Sequence, residues 1–407
     1  MKIIQINTVP YGSTGTIMMN IHKELLNRGH ESYVVWGRGR NSNNNNEFYL
    51  DDKIGVYYHV LYSRLTGKHG FASKKSTKKL ISWIDKINPD IIHLHNIHGY
   101  YINVELLFNY IKEKNIRVVW TLHDCWAFTG HCTHYIYADC QKWKNRCSKC
   151  PLSNSYPKSF FDSSGECFNR KKDLFTSVNN LTFVTPSLWL QKQLQQSFFK
   201  EYKSYVINNG INVDKFKLKE NNEFKRKYDL NDKIVLLGIA SPWIEKKGLK
   251  DFLLLNDMID KKIYKIVLVG LSEKQVKKLP DDIIKIKRTT NVDELIDIYN
   301  DVDYLINPTY EDNYPTINVE AISCGTPVIT YDTGGSPEIL KNNNYGIIVK
   351  KKKNYFCDDN VIELYNTIIN AKINKKNMTM ISKGLIDINV MINNYFDLYD
   401  EMVGEKL

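Results

Sequence analysis

Two kinds of segment alternate along the chain. Short runs of consecutive β-branched and other apolar residues, "KIIQINTV", "SYVVWG", "DIIHLHNI", "RVVWTLHD" and "LTFVTPS", are separated by longer stretches with apolar residues at helical spacing, the first running through Leu26. A strand buried on both faces has no polar alternation, so continuous apolar strands between amphipathic helices predict a parallel sheet with helices on each side. The pattern recurs in the second half as "KIVLLGIAS", "KIVLVGL", "IIKIKRTT", "VDYLINPTY", "TPVITYDTG" and "YGIIVK". The expected fold class is α/β, with two Rossmann-like, doubly wound parallel sheets.

Between the halves, "VINNGINVDKFKLKENNEFKRKYDLNDK" carries turn residues and charges with little apolar periodicity, and it reads as the connection between domains. The expected division is 1–204 for the first domain and 205–384 for the second. Residues 385–407, apolar at helical spacing in "VMINNYFDLYDEMVGEKL", form a C-terminal helix expected to pack back on the first domain. The polar tract 41–46 reads as an exposed loop.

At 407 residues with 43% hydrophobic content, the chain is too long for one ordinary core and can bury two. No apolar run approaches the roughly 18 to 20 residues of a membrane span. The opening "MKIIQIN" interrupts its apolar residues too early for a signal peptide, so a cytoplasmic location is expected. The net charge of +11 fits a polyanion, an anionic membrane surface or an acidic small substrate, and equally a lysine- and asparagine-rich composition such as "NSNNNN" and "VKKKKN". The basic residues are dispersed and not interleaved with aromatics, so no nucleic-acid partner is expected.

In open parallel sheets, ligands bind beyond the carboxyl ends of the strands, which directs attention to the residues that follow each strand. After the first strand, "NTVPYGSTGT" brings Gly12 and Gly15 to a strand-to-helix turn, where the backbone can approach an anion such as a diphosphate; a tight turn alone needs the same residues. "TLHDCWAFTGHC" sets His123 and Asp124 just past a strand, where a histidine can donate to a sugar hydroxyl or a developing phosphate charge, or can be a hydrogen-bonded loop residue. "IIHLHNIHGYY" ends another strand with His95, Asn96 and His98. In the second half, "YEDNYPTINVEAISCGTPVITYDTGGSPEI" places acids at both ends of a loop-to-helix element, Glu311 or Asp312 first and Glu320 second.

Cys132, Cys140, Cys147 and Cys150 follow the pattern C-x7-C-x6-C-x2-C within a cysteine-rich loop at about 125–167. Four thiolates at such spacings can enclose a structural zinc, with His131 or His134 able to replace one; buried free thiols and disulfides are the alternatives. A loop this long and polar is expected to lack a core of its own, which gives a metal a reason to be there.

The acid pair, with its "EA…CGTPVI…GG" continuation, resembles the signature of family 4 glycosyltransferases of the GT-B fold, in which two Rossmann-like domains face each other across a cleft. The family spacing pairs Asp312 with Glu320, and Glu311 is the adjacent alternative. The resemblance implies a retaining transfer of a hexose-type sugar from a UDP- or GDP-sugar co-substrate, without a catalytic divalent metal, and with the leaving phosphate deprotonating the acceptor. It implies that Glu320 holds the nucleotide ribose and that Asp312 or Glu311, with the main chain of Asn313 and Tyr314, meets the donor sugar and phosphates. "GIASPWIEKKGLKDF" is also similar to the family, so Lys247 would neutralise the diphosphate. Many relatives carry an arginine where Pro242 stands, and Lys246 is the candidate to compensate. Arg288 and Thr289 lie where relatives frame the base, and Asn209 and Gly210 match the inter-domain turn. His123 would support the donor sugar or the acceptor. "TLHDCWAFTGHC" looks like a subgroup of capsular, exopolysaccharide and colanic-acid-type transferases, which implies an oligosaccharide or lipid-linked acceptor and peripheral attachment to the inner face of the cell membrane. The readings weighed against this are a non-catalytic, zinc-bearing binding protein on the same scaffold and a sugar-nucleotide epimerase.

Overall fold

The computed structural model describes residues 1–42, 44–50, 52–219, 223–289, 291–340, 344–375, 381 and 383–404. The chain divides into two compact units, Met1–Asn208 with Met391–Leu407, and Asn209–Val390. The two-domain α/β architecture expected from the apolar runs is present.

In the first unit, seven strands make one parallel sheet: β1 (Lys2–Asn7), β2 (Glu31–Trp36), β3 (Glu47–Tyr49), β4 (Ile91–Leu94), β5 (Arg117–Thr121), β6 (Leu181–Thr185) and β7 (Ser204–Val206), in the order β3-β2-β1-β4-β5-β6-β7. Ile4 pairs with Tyr33 on one side and Ile92 on the other. The helices on the faces bury rows of apolar side chains, as in Lys74–Ile87, which turns Leu80 and Ile84 inward. The edge strands β3 and β7 have no counterpart among the predicted strands. They are three residues long and only partly buried, so they lack a continuous apolar run.

The second unit holds six parallel strands: β8 (Ile234–Ile239), β9 (Tyr264–Val269), β10 (Ile284–Ile286), β11 (Tyr304–Asn307), β12 (Val328–Tyr331) and β13 (Gly346–Val349), ordered β10-β9-β8-β11-β12-β13. In each sheet the chain winds one way and then returns to the other side of its first strand. The switch points therefore lie between β1 and β4, and between β8 and β11, where loops at the carboxyl ends diverge and leave a crevice.

Two expectations are corrected. A division at 204/205 would cut β7, which belongs to the first sheet. The segment read as a connection contributes to the second core instead, burying Val213, Phe224 and Leu230, with the Phe224 amide donating to Asp301 at 2.6 Å. Those apolar residues are too widely spaced to show a period. The helix Ile388–Gly404 lies mostly in the first unit: Tyr399 Oη is 2.7 Å from His93 Nδ1, and Tyr395 Oη is 2.9 Å from Thr121 Oγ1.

Candidate active site

The switch point of the second unit brings two lysines against two acids. β8 runs into a loop that ends in one tight turn, Glu245–Lys247, and then the helix Leu249–Met258. Gly248 between them has φ +78°, and a Cβ there would lie 2.5 Å from Pro308 Cγ, so only glycine fits. This close approach ties the loop after β8 to the loop after β11, as does the Tyr310 amide donating to the Lys246 carbonyl at 2.9 Å.

The stitched loops set two lysines against two acids. Lys246 Nζ lies 2.9 Å from Glu311 Oε2, and Lys247 Nζ lies 2.6 Å from Asp312 Oδ2 while also donating to the Glu311 carbonyl at 3.2 Å. Glu311 is buried, whereas Asp312 and Lys247 are more open. Asn313 and Tyr314 are buried in the same loop, and burial pushes the Tyr314 hydroxyl pKa up. The Gly335 amide donates to the Asp312 carbonyl at 3.3 Å, adding the loop after β12 to the cluster.

Glu320 sits on the helix Thr316–Ser323 and accepts a 2.9 Å hydrogen bond from Tyr299. Burial lifts the Glu320 pKa, and the Tyr299 and Thr316 side chains oppose the lift. Arg288, exposed, and Thr289, partly buried, follow β10 at the sheet edge. Gly210 packs against the Ile388 main chain, and Asn209 is buried.

Beneath the cluster lies a group that motif reading missed. Asp251, fully buried, accepts 2.7 Å hydrogen bonds from both Tyr310 and Tyr331 on one carboxylate oxygen, while the other has no partner among the described residues. Burial pushes its pKa up to about 6. Asp251 thereby braces Tyr310, the neighbour of Glu311. Tyr299 was missed as well. Neither residue carries a local signal, because each meets its partner across the fold.

In the first unit, the loops after β1, β4 and β5 meet at the other switch point. Thr8 Oγ1 donates to the carbonyls of Asn96 and His98 at 2.9 and 2.7 Å, and the Asn96 amide donates to Asn7 Oδ1 at 3.1 Å. The helix Gly12–Asn27 starts with Gly12 at φ +72°, and a Cβ on Gly15 would sit 2.6 Å from the Val9 carbonyl oxygen. His123 and Asp124 each find a partner from the β4 loop. His95 Nδ1 lies 3.0 Å from His123 Nε2 with the rings stacked, and His98 Nε2 lies 2.6 Å from Asp124 Oδ2. Burial pushes His123 down to about 4, so its ring is neutral near pH 7. For Asp124, burial favours the neutral acid, but His98 and the Trp126 amide outweigh it and hold the pKa below the usual carboxylate value.

The cysteine loop departs from expectation. Among the described residues, no group of three or more His, Cys, Asp or Glu side chains is placed to hold a metal, so the structure gives the zinc reading no support. Cys132 and Cys147 are buried and Cys140 and Cys150 partly buried, all four as free thiols. Burial pushes the Cys147 pKa up to about 11, and the Gly130 amide donates to its sulfur at 3.2 Å. The loop is anchored in the core of the first unit. Tyr135 stacks on Trp143 at 4.8 Å, Phe128 packs on Trp143 at 5.2 Å, and these side chains are continuous with the core of the unit. Three aromatics scattered among polar residues left no periodic trace in the sequence, yet they suffice to hold the loop.

Comparison with known proteins fits this architecture. The family described as Glycosyltransferase Family 4 matches residues 14–215, and that described as Glycosyl transferases group 1 matches residues 220–379. The chain is 24% identical to WcaC of Escherichia coli (strain K12), provisionally named as a colanic acid biosynthesis glycosyl transferase, over 84% of this chain and 86% of that one. It is 28% identical to the capsular polysaccharide biosynthesis glycosyltransferase CapM of Staphylococcus aureus, over 39% of this chain and 45% of that one. Among solved structures, Anabaena Alr3699/HepE in complex with UDP and glucose superposes with a TM-score of 0.65 at 14% identity, covering 98% of this chain and 99% of that one. The lipopolysaccharide glycosyltransferase WaaG superposes with a TM-score of 0.62 at 13% identity, over 99% and 100%. With one family spanning the first sheet from β2 to β7 and the other spanning the second, the chain belongs to the family 4 type of glycosyltransferases and has their GT-B fold.

Proposed function

We propose that the protein transfers a hexose-type sugar, with retention of configuration, from a UDP- or GDP-sugar to a growing, lipid-linked oligosaccharide of a surface polysaccharide. The observation that carries this reading is the cluster at the β8/β11 switch point, where Lys246 and Lys247 stand beside Glu311 and Asp312. A diphosphate there would be met by the Lys247 ammonium and by the amino end of the helix Thr316–Ser323, both of which favour the negative charge that develops on the leaving group, while Lys246 holds the loop through Glu311. Glu320, held by Tyr299, is suited to accept from ribose hydroxyls. A UDP donor is supported by the bound UDP of the Anabaena structure, and a polysaccharide product by the names of WcaC and CapM.

In this mechanism the bond from the sugar C1 to the β-phosphate oxygen breaks while the acceptor oxygen bonds C1 on the same face. The acceptor proton passes to the departing phosphate. Lys247 leaves Asp312 for the phosphate, and Asp312 turns to the sugar hydroxyls. His123, neutral near pH 7, donates a hydrogen bond to the donor sugar or the acceptor.

Calorimetric titration of UDP, GDP and their common sugar conjugates tests the reading, on the natural protein and on Glu320→Ala. One nucleotide should bind, and the variant should lose that binding. Absence of binding by every nucleotide would remove the transferase reading.

A further inference from the structure

The helix Lys53–Thr66 is built inside out. The two residues it buries fully are polar: His59, 0% exposed, whose Nδ1 lies 2.7 Å from Ser73 Oγ, and Ser63. Its outward face is apolar. Ile54 is 84% and Tyr57 76% exposed, and Tyr58, Leu61 and Leu65 are each at least half exposed. At about 100° per residue these five positions fall within one stripe. An ordinary surface helix does the reverse, and a contiguous exposed apolar patch marks a surface that meets something apolar.

A neighbouring loop extends the stripe. The Phe160 amide donates to the Arg64 carbonyl at 2.8 Å, and Ser163 Oγ donates to the Thr66 carbonyl at 2.6 Å, pinning Phe160 and Phe161 to the end of the helix with their rings exposed. Cations border the patch. Lys53 and Arg64 are exposed on the helix, and Lys158 Nζ stands 5.9 Å from the Phe160 ring centre. Among the described residues, two nearby acids face main-chain amides: Asp52 accepts from Gly55 and Asp162 from Ser164.

We infer that this face docks on an anionic lipid bilayer. The helix lies in the plane of the interface, with Ile54, Leu61 and Leu65 below the headgroups. Tyr57 and Tyr58 sit at headgroup level, where a ring with a polar tip is most stable, and Lys53, Arg64 and Lys158 meet lipid phosphates. The aromatic and basic border selects a membrane over a second copy of this chain, whose identical cations would face one another. The surface lies within the first unit, so it stands whether or not the donor is correctly identified.

Vesicle flotation tests this with the full chain. The protein should float with vesicles of mixed phosphatidylglycerol and phosphatidylcholine at low salt, and much less with phosphatidylcholine alone or at high salt. Tyr57→Ser with Leu61→Ser should weaken binding at least about tenfold, leaving nucleotide affinity in solution unchanged. Leu65→Ser with Phe161→Ser is a second pair that must behave alike if the first fails to fold. The proposal is overturned if the natural protein ignores anionic vesicles or if folded variants float as well as it does. It is overturned equally if light scattering shows a dimer that these substitutions break, because the apolar face would then be covered by a second copy.

Discussion

Lys247 Nζ lies 2.6 Å from Asp312 Oδ2, across 65 residues of chain, and joins the loops that follow two neighbouring strands. The pair is partly open to solvent, whereas the adjacent pair, Lys246 with Glu311, is more deeply buried. The two lysines therefore have different work. Lys247 can exchange its partner for a substrate, and Lys246 holds the loop. Replacing Lys247 with alanine should lower kcat/KM for the donor about a hundredfold or more with little change in melting temperature. Lys246→Met should instead cost about 1–3 kcal/mol of stability, because it removes the cation from the buried Glu311 carboxylate. Steady-state kinetics and thermal melts on the two variants check the division, and equal kinetic and thermal effects would refute it.

Tyr299 holds the Glu320 carboxylate at 2.9 Å. Glu320→Ala is expected to weaken nucleotide binding about tenfold to a hundredfold, the worth of hydrogen bonds to a charged group. Tyr299→Phe keeps the carboxylate but frees its orientation, so its loss should be smaller. Calorimetry ranks the two, and a Tyr299→Phe defect as large as that of Glu320→Ala would mean that the tyrosine itself meets the nucleotide.

Asp251 provides a pH signature. Burial lifts its pKa from 3.8 to about 6 in the folded protein. Between those values the native state holds a proton that the unfolded chain releases, so stability falls as pH rises through this window. A lift of that size corresponds to about 3 kcal/mol. Asp251→Asn still accepts from Tyr310 and Tyr331 but does not titrate. Relative to this variant, the natural protein should lose stability between pH 4 and pH 7, as read by denaturant midpoints. A constant difference across the range would show that Asp251 titrates normally.

Gly248 joins the lysine loop to its helix at φ +78°, with Pro308 in the way of any side chain. Gly248→Ala should cost about 2–4 kcal/mol through backbone strain and overpacking. Donor affinity should fall with it, because Lys247 is carried on the displaced turn. Retained affinity in a destabilised variant would separate the turn from the donor site.

Much of the fold is legible in the sequence alone, for a physical reason. A strand covered on both faces must be apolar throughout, so β1, β4, β5, β8 and β9 announce themselves, and in a parallel sheet the loops after such strands are where ligands collect. The acids of the loop 311–320 stand out in this way, whereas the lysines at 246 and 247 were legible only through the family resemblance. Edge strands β3 and β7 were not, because a short, half-exposed strand has no such signature.

The sequence by itself determined the class of fold and the loops that carry its chemistry, because burial writes periodic patterns into local sequence. Only the tertiary structure decided which lysine faces which acid, that Tyr299 steadies Glu320, and that Asp251 lies beneath Tyr310. It also decided that Trp143, Tyr135 and Phe128 anchor the cysteine loop in the core of the first unit, and that the helix Lys53–Thr66 turns its apolar side outward. Each of these depends on groups brought together from distant points of the chain, or on which face of an element meets the core. Local spacing encodes that a helix has two faces, but which one points inward is settled by what packs against it.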